Sequence, residues 1–175
     1  MKISSIETGL YHIPLPNVLT DATHGEMRHF AVIFVRINTD EGASGLGYTY
    51  TVGRTGGGAV HRLIDEDLVP LLTGTDPRCI ERLWQQMWWR LHYVGRGGIA
   101  SFAIAAVDVA LWDLKARLAG EPLWRVLGGH DARVRVYAGG IDLLLSLDEL
   151  REQTRRNLER GYRAIKMKEI GRAHV

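Results

Sequence analysis

Hydrophobic and polar positions change rhythm twice along the chain. In the first fifty residues apolar positions alternate loosely with polar ones, the two-residue period of strands. Lys2 to Pro14 is one such run, closed by Pro14 and Pro16, which cannot continue a central strand. His29 to Asn38 is rich in β-branched and aromatic residues and leads into the turn Asp40-Glu41-Gly42. Ser44 to Thr51 then returns as a hairpin partner. The polar stretch Asn17 to Arg28 is too long for a tight turn and reads as a structureless loop, a class that commonly carries function.

From Gly58 the period becomes helical. Val60, Leu63, Ile64, Leu68 and Leu71 recur at spacings of three and four before Gly74 stops the run. Asp76-Pro77 predicts the start of a second helix, with Asp76 as N-cap and Pro77 in its first turn. A third helix runs from Ile99 to about Ala119, apolar on most sides, and Gly120 and Pro122 end it. The rhythm then changes again. Val134 to Gly139 reads as a short strand, Ser146-Leu147-Asp148-Glu149 as a reciprocal helix cap, Gly161 as the helix end, and Arg163 to Lys168 as a second strand. Strand, helix, strand with short connections predicts parallel strands joined by a crossover, which need further strands to cover their faces.

Composition narrows the class without naming a function. The 175 residues carry 22 Lys+Arg against 20 Asp+Glu, a net charge of +2, which gives no reason to expect nucleic acid or an acidic membrane as partner. No apolar run reaches the ~20 residues of a membrane helix, and the N-terminus lacks the apolar core of a signal peptide. The single cysteine, Cys79, excludes an internal disulfide framework and suits a cytoplasmic setting.

Specific motifs go further. Ala105 to Ala116, followed by Gly120-Glu121-Pro122-Leu123 and Leu127-Gly128-Gly129, resembles the signature of the mandelate racemase/muconate lactonizing enzyme group of the enolase superfamily. The resemblance implies an α+β capping domain, an antiparallel sheet followed by helices, over residues 1–125. Residues 126–168 would be the first βαβ of a truncated (β/α)7β barrel. Within that group Thr20-Asp21-Ala22, Gly45 to Tyr50 with Gly56-Gly57-Gly58, and Val94 to Gly98 are most similar to acid-sugar dehydratases of the galactarate/talarate type. The tail Glu169 to Val175 departs from the pattern and corresponds to one reading frame of a common short-read sequencing adapter. It is expected to be non-native, the natural chain continuing past Lys168.

The residues that could carry chemistry follow from these two layers. Lys166 and Lys168 project from one face of a strand, and neighbouring ammonium groups disfavour each other's charge, which favours a free amine. Standing alone, such a pair is usually two solvated lysines. In this signature the resemblance makes Lys168 the base that removes the proton α to a carboxylate and Lys166 its supporting cation. It also implies Mg2+, with ligands on the next barrel strands, so that these residues alone are expected to be inactive. The two capping-domain loops implied to set specificity contribute Thr20, Asp21, His24 and Arg28, then Tyr50, Arg54 and Thr55. Hydroxyl and cationic groups suit a small hydroxy-carboxylate, arginine gripping a carboxylate bidentately.

Other residues read more plainly. Asp113 faces Arg117 four residues on, an ordinary helix pair. Asp108 is expected to bond a nearby backbone group. Trp84, Trp88, Trp89 and Trp112 fall at core or interface spacing. Gly53 to Gly58 lacks the Gly-Lys-Ser/Thr ending of a phosphate loop. The expected activity is therefore an acid-sugar dehydratase acting through an enediolate, homo-oligomeric when complete. A racemase or epimerase is the nearest alternative, and a cycloisomerase is less favoured because the loops are polar. From another class comes a capping-type module that binds a partner without catalysis.

Overall fold

The computed structural model describes residues 1–168. Three strands, β1 (Ile3–Asp21), β2 (Gly25–Thr39) and β3 (Ser44–Val52), form an antiparallel sheet in the order β1-β2-β3. On β2 the buried positions alternate strictly, Ala31, Ile33, Val35, Ile37 and Thr39, as a half-covered strand requires. On β3 the buried positions are Gly45, Gly47 and Thr49. Register sets Ile37 opposite Gly45 and Val35 opposite Gly47, so large side chains on one strand face glycines on the next.

Those glycines admit a helix. A Cβ on Gly45 would lie 2.2 Å from the Ala110 carbonyl oxygen, and one on Gly47 2.1 Å from that of Ala106. Both carbonyls belong to α4 (Ile99–Leu118), which rests on β3 backbone to backbone. Asp113 of α4 fastens the contact by accepting the Leu46 N–H at 2.8 Å while receiving Arg117 Nε at 2.7 Å. Against α4 pack α1 (Gly57–Leu63), a π-helical segment Ile64–Leu68 and α3 (Ile80–Leu91), while the short α2 (Val69–Leu72) rests on the π segment and α3. Their buried residues, among them Val60, Ile64, Leu68, Leu83, Met87, Val107 and Leu111, form one core with the β2 side chains. The π segment precedes Pro70, which supplies no N–H for the regular ladder and would press on the Glu66 carbonyl in an unbroken α-helix. Thr8 on β1 donates to Asp65 and meets His61 Nε2 at 3.0 Å, pinning the sheet to this helical layer.

The remaining elements are α5 (Leu123–Val126), β4 (Ala138–Gly139), α6 (Leu147–Glu159) and β5 (Ile165–Lys166), with β4 and β5 paired in parallel. The described residues divide into two compact units, residues 1–13 with 29–130, and residues 14–28 with 131–168. No helix among the described residues is long and apolar enough to cross a membrane.

Several expectations are corrected. Asn17 to Arg28 is no structureless loop: β1 continues to Asp21, a three-residue turn follows, and β2 resumes at Gly25. Pro14 and Pro16 are tolerated because β1 is an edge strand, where missing N–H groups leave no neighbour unpaired. The second long helix starts at Ile80, not at Pro77, because the Asp76 carboxylate folds onto the Arg78 N–H (3.0 Å) and guanidinium (2.7 Å) instead of capping a helix. Val134 to Gly139 and Arg163 to Lys168 contribute only two ladder residues each. The tail at 169–175 lies outside the described residues.

The β3–α4 approach predicts opposite outcomes for two glycine substitutions. Gly47→Ala should destabilise the protein by about 3 kcal/mol, the upper range for forcing atoms into a filled contact. Gly58→Ala, in α1 with open space around its would-be Cβ, should stabilise it by about 0.5 kcal/mol. Urea unfolding midpoints at constant m-value check both.

Candidate active site

The unit that contains β4 and β5 brings together one of the two predicted loops and the paired lysines. Ala138 N–H donates to the Ala164 carbonyl at 2.9 Å, and Gly140 N–H to the Lys166 carbonyl at 2.8 Å. These bonds set Lys166 and Lys168 at the carboxyl end of β5, Lys166 exposed and Lys168 half-buried. The α6 helix between the strands starts with the predicted reciprocal cap. Ser146 Oγ accepts from Glu149 N–H at 3.3 Å, and Glu149 accepts from Ser146 N–H at 2.8 Å. Its carboxyl is held below the usual carboxylate range by the Ser146 side-chain and backbone bonds.

At the end of β4 stands a carboxylate that the sequence reading passed over. Asp142 is only 6% exposed. Its Oδ1 accepts the backbone N–H of Lys168 at 2.9 Å, and its Oδ2 accepts Gln153 Nε2 of α6 at 2.8 Å. Gly140 makes room for it, since a Cβ there would lie 2.2 Å from Oδ2. The visible signal was an acidic residue inside the apolar run Ile141 to Leu145, directly after a strand end. Buried carboxylates occur where partners are provided.

Thr20 joins this arrangement through its backbone. Its N–H donates to the Ile141 carbonyl at 3.1 Å, and its own carbonyl accepts the Leu143 N–H at 3.2 Å. Thr20 is 7% exposed, so it acts here as a ladder residue beside β4. Asp21 organises the turn: its Oδ1 accepts the Thr23 N–H at 2.9 Å and the His24 N–H at 2.6 Å, with His24 Nδ1 at 3.0 Å from Oδ2. Those backbone and side-chain bonds from His24 lower its pKa to about 2. His24 is exposed, and Arg28 reaches Glu26 at 2.7 Å. A cleft of about 590 Å³ opens here, lined by Asn17, Thr20, Gly140, Asp142, Glu152 and Gln153 among others.

Tyr50, Arg54 and Thr55 belong to the other unit. All three are exposed, Tyr50 leaning on Phe30 with ring centroids 5.3 Å apart. The Gly53 N–H closes the base of their loop on the His29 carbonyl at 3.2 Å.

A profile of the mandelate racemase/muconate lactonizing enzyme N-terminal domain matches residues 11–128. The chain belongs to that family. It is 57% identical over 170 residues to a 3,6-anhydro-alpha-L-galactonate cycloisomerase of Streptomyces coelicolor, covering 97% of this chain and 46% of the relative. A racemase from Streptomyces coelicolor A3(2), crystallised with bound magnesium, superposes at a TM-score of 0.93 with 57% identity, covering 98% of this chain and 47% of that one. The L-talarate/galactarate dehydratase of Salmonella typhimurium LT2, liganded with magnesium and L-lyxarohydroxamate, superposes at 0.90 with 30% identity, covering 98% and 45%. The chain thus spans about half the length of the relatives it matches.

The family signature on α4 has a structural explanation. Ala106 and Ala110 meet the glycines of β3, and Asp113 serves β3 as well as Arg117, a backbone role beyond the helix pair expected of it. Asp108 is half-buried; burial first, and the charge of Glu81 second, raise its pKa. Trp84, Trp88 and Trp112 pack against the core, whereas Trp89 is 58% exposed and lies outside it. Among the described residues no group of three or more His, Cys, Asp or Glu could hold a metal ion.

Two pH-dependent outcomes follow. Asp21 has a depressed pKa, so its support of the turn is present above the ordinary carboxylate range and is lost as pH falls toward about 2. Asp21→Ala should therefore speed amide exchange at Thr23 and His24 at pH 6, and the difference from the wild type should shrink steadily as pH falls toward 2. Asp108 has a raised pKa, so its stabilising share is full below its unfolded pKa and is lost as pH rises through the folded value. Asp108→Asn should raise the melting temperature at pH 7 and leave it unchanged near pH 3.

Proposed function

We propose that the complete protein removes the proton α to the carboxylate of a sugar acid, with Lys168 as base. Residues 1–125 form the capping domain and 126–168 the start of the barrel. The observation that carries this reading is the Lys166/Lys168 pair at the carboxyl end of β5, joined to the Thr20–His24 turn through residues 141–143. Carboxyl ends of barrel strands are where barrel enzymes react. The C–H bond breaks, its proton passes to the Lys168 amine, and the electron pair left on the α-carbon expels the oxygen on the β-carbon. Lys166 holds the substrate carboxylate, while His24 and Arg28 of the same unit meet its hydroxyl and carboxyl groups.

The fate of the β-oxygen separates the family's chemistries. A free hydroxyl leaves as water, giving a dehydratase. In an anhydro sugar acid that oxygen also closes a ring, stays attached when the bond breaks, and the product is an isomer. Identity of 57% to a cycloisomerase, against 30% to the talarate/galactarate dehydratase, favours the ring-opening outcome. The polar loops no longer count against a cycloisomerase, since an anhydro-galactonate is itself polar. Dehydration is the second reading, carried by the loop motifs it shares with galactarate/talarate enzymes. Magnesium accompanies the relatives' structures, and the described residues provide no ligand set for it.

The complete protein should convert 3,6-anhydro-L-galactonate to a 2-keto-3-deoxy acid, and galactarate at a lower kcat/KM. Lys168→Met should reduce kcat by at least about 10²-fold, as removal of a general base does, and should stop exchange of the α-proton with solvent deuterium. Undiminished exchange in that variant would show that another group is the base.

A further inference from the structure

Lys168 sits past the end of a two-residue strand, where the ladder no longer fixes its backbone. What holds it is the Asp142 carboxylate. We propose that Asp142 is a positioning residue for the base, a role that rests on the assignment of Lys168 above. One oxygen anchors the Lys168 N–H at 2.9 Å, and the other is tethered to Gln153 of α6 at 2.8 Å. The backbone on either side of Asp142 is bonded to Thr20 at 3.1 and 3.2 Å. Residues 141–143 thus tie together the base and the crossover helix through the Asp142 side chain, and the turn that carries His24 through the backbone.

Two acceptor oxygens on one short side chain are what suit Asp142 to this work. A carboxylate accepts on both oxygens at once, and bonds from N–H groups to an ionised acceptor are about twice as strong as neutral ones. Buried at 6% exposure, it has little water competing for those positions. Gly140 keeps the space clear, and the Gly140 N–H in turn binds the carbonyl of Lys166 at 2.8 Å. Both lysines are therefore fixed by their main chains from the same short segment, residues 140–142. Their side chains take no part in these bonds.

Catalytic geometry is unforgiving at this scale, a shift of about 1 Å costing on the order of 10²-fold in rate. In the complete protein, assayed with 3,6-anhydro-L-galactonate and Mg2+, Asp142→Ala should lower kcat by about 10²-fold with KM changed less than about threefold. The primary isotope effect on α-deuterated substrate should rise as proton transfer becomes limiting. Asp142→Asn keeps an acceptor for the Lys168 N–H, and Gln153 can turn its amide to match, so kcat should return to within about fivefold of wild type. A merely structural role would lower the melting temperature and leave kcat per folded molecule and the isotope effect unchanged, and that result overturns the proposal. Should Asp142→Ala fail to fold, Gln153→Ala decides: a several-fold fall in kcat at constant KM supports positioning, and an unchanged kcat overturns it. A wild type that turns over while Lys168→Met is equally active sinks the base assignment and this inference with it. A normal Asp142→Ala beside an inactive Lys168→Met sinks this inference alone.

Discussion

The approach of α4 to β3 is the constraint on which the first unit is built. Two glycines on the strand and two alanines on the helix bring backbones so close that a methyl group at Gly45 or Gly47 would overlap a carbonyl oxygen. With no side chains between them, the two elements pack by main-chain contact, and the large residues needed to fill the core come from β2 and from the helices around α4. Asp113 supplies the polar complement by satisfying a strand N–H that no neighbouring strand could reach. A motif recognised first as a family signature is thus a packing solution: small residues where the strand lies, an acceptor where its N–H emerges, and aliphatic residues elsewhere.

Where local physics dominates, the sequence was a reliable guide. Strict alternation on β2 follows from a one-sided burial that side-chain type announces directly, whereas α4, apolar on most sides, leaves Phe102 and Val109 exposed and is buried on one face only. The reciprocal cap of α6 follows from four consecutive residues. Legibility failed where a tertiary partner decided the outcome. Pro14 and Pro16 read as strand terminators because nothing in the chain says that β1 lies at a sheet edge. Asp76 read as a helix cap, but its carboxylate had a better bidentate partner in Arg78. The strands β4 and β5 pair over only two residues, where the pattern suggested five or six.

The candidate site shows the same division. Lys166 and Lys168 were visible as a motif, and His24 and Arg28 as polar loop residues. Thr20 and Asp21 were read as loop residues that meet substrate, and the structure employs Thr20 in a ladder and Asp21 in the turn, so their contribution runs through backbone order. Asp142 was missed because its significance lies in contacts to residues 11 and 26 positions away. A carboxylate buried beside the Lys166/Lys168 motif is the kind of long-range support that no local pattern encodes. It also explains how the backbone of Lys168 is held in place beyond so short a strand.

The central claim is geometric, that the Lys168 amine faces the carbon from which hydrogen is removed. A crystal structure of the complete protein with a non-reactive sugar-acid analogue and Mg2+ tests it most directly. The account predicts Lys168 Nζ on one face of the α-carbon, within the reach a general base requires, with the Asp142 bond to its backbone intact. An analogue bound with Lys168 turned away from the α-carbon, and another basic group in its place, would contradict it.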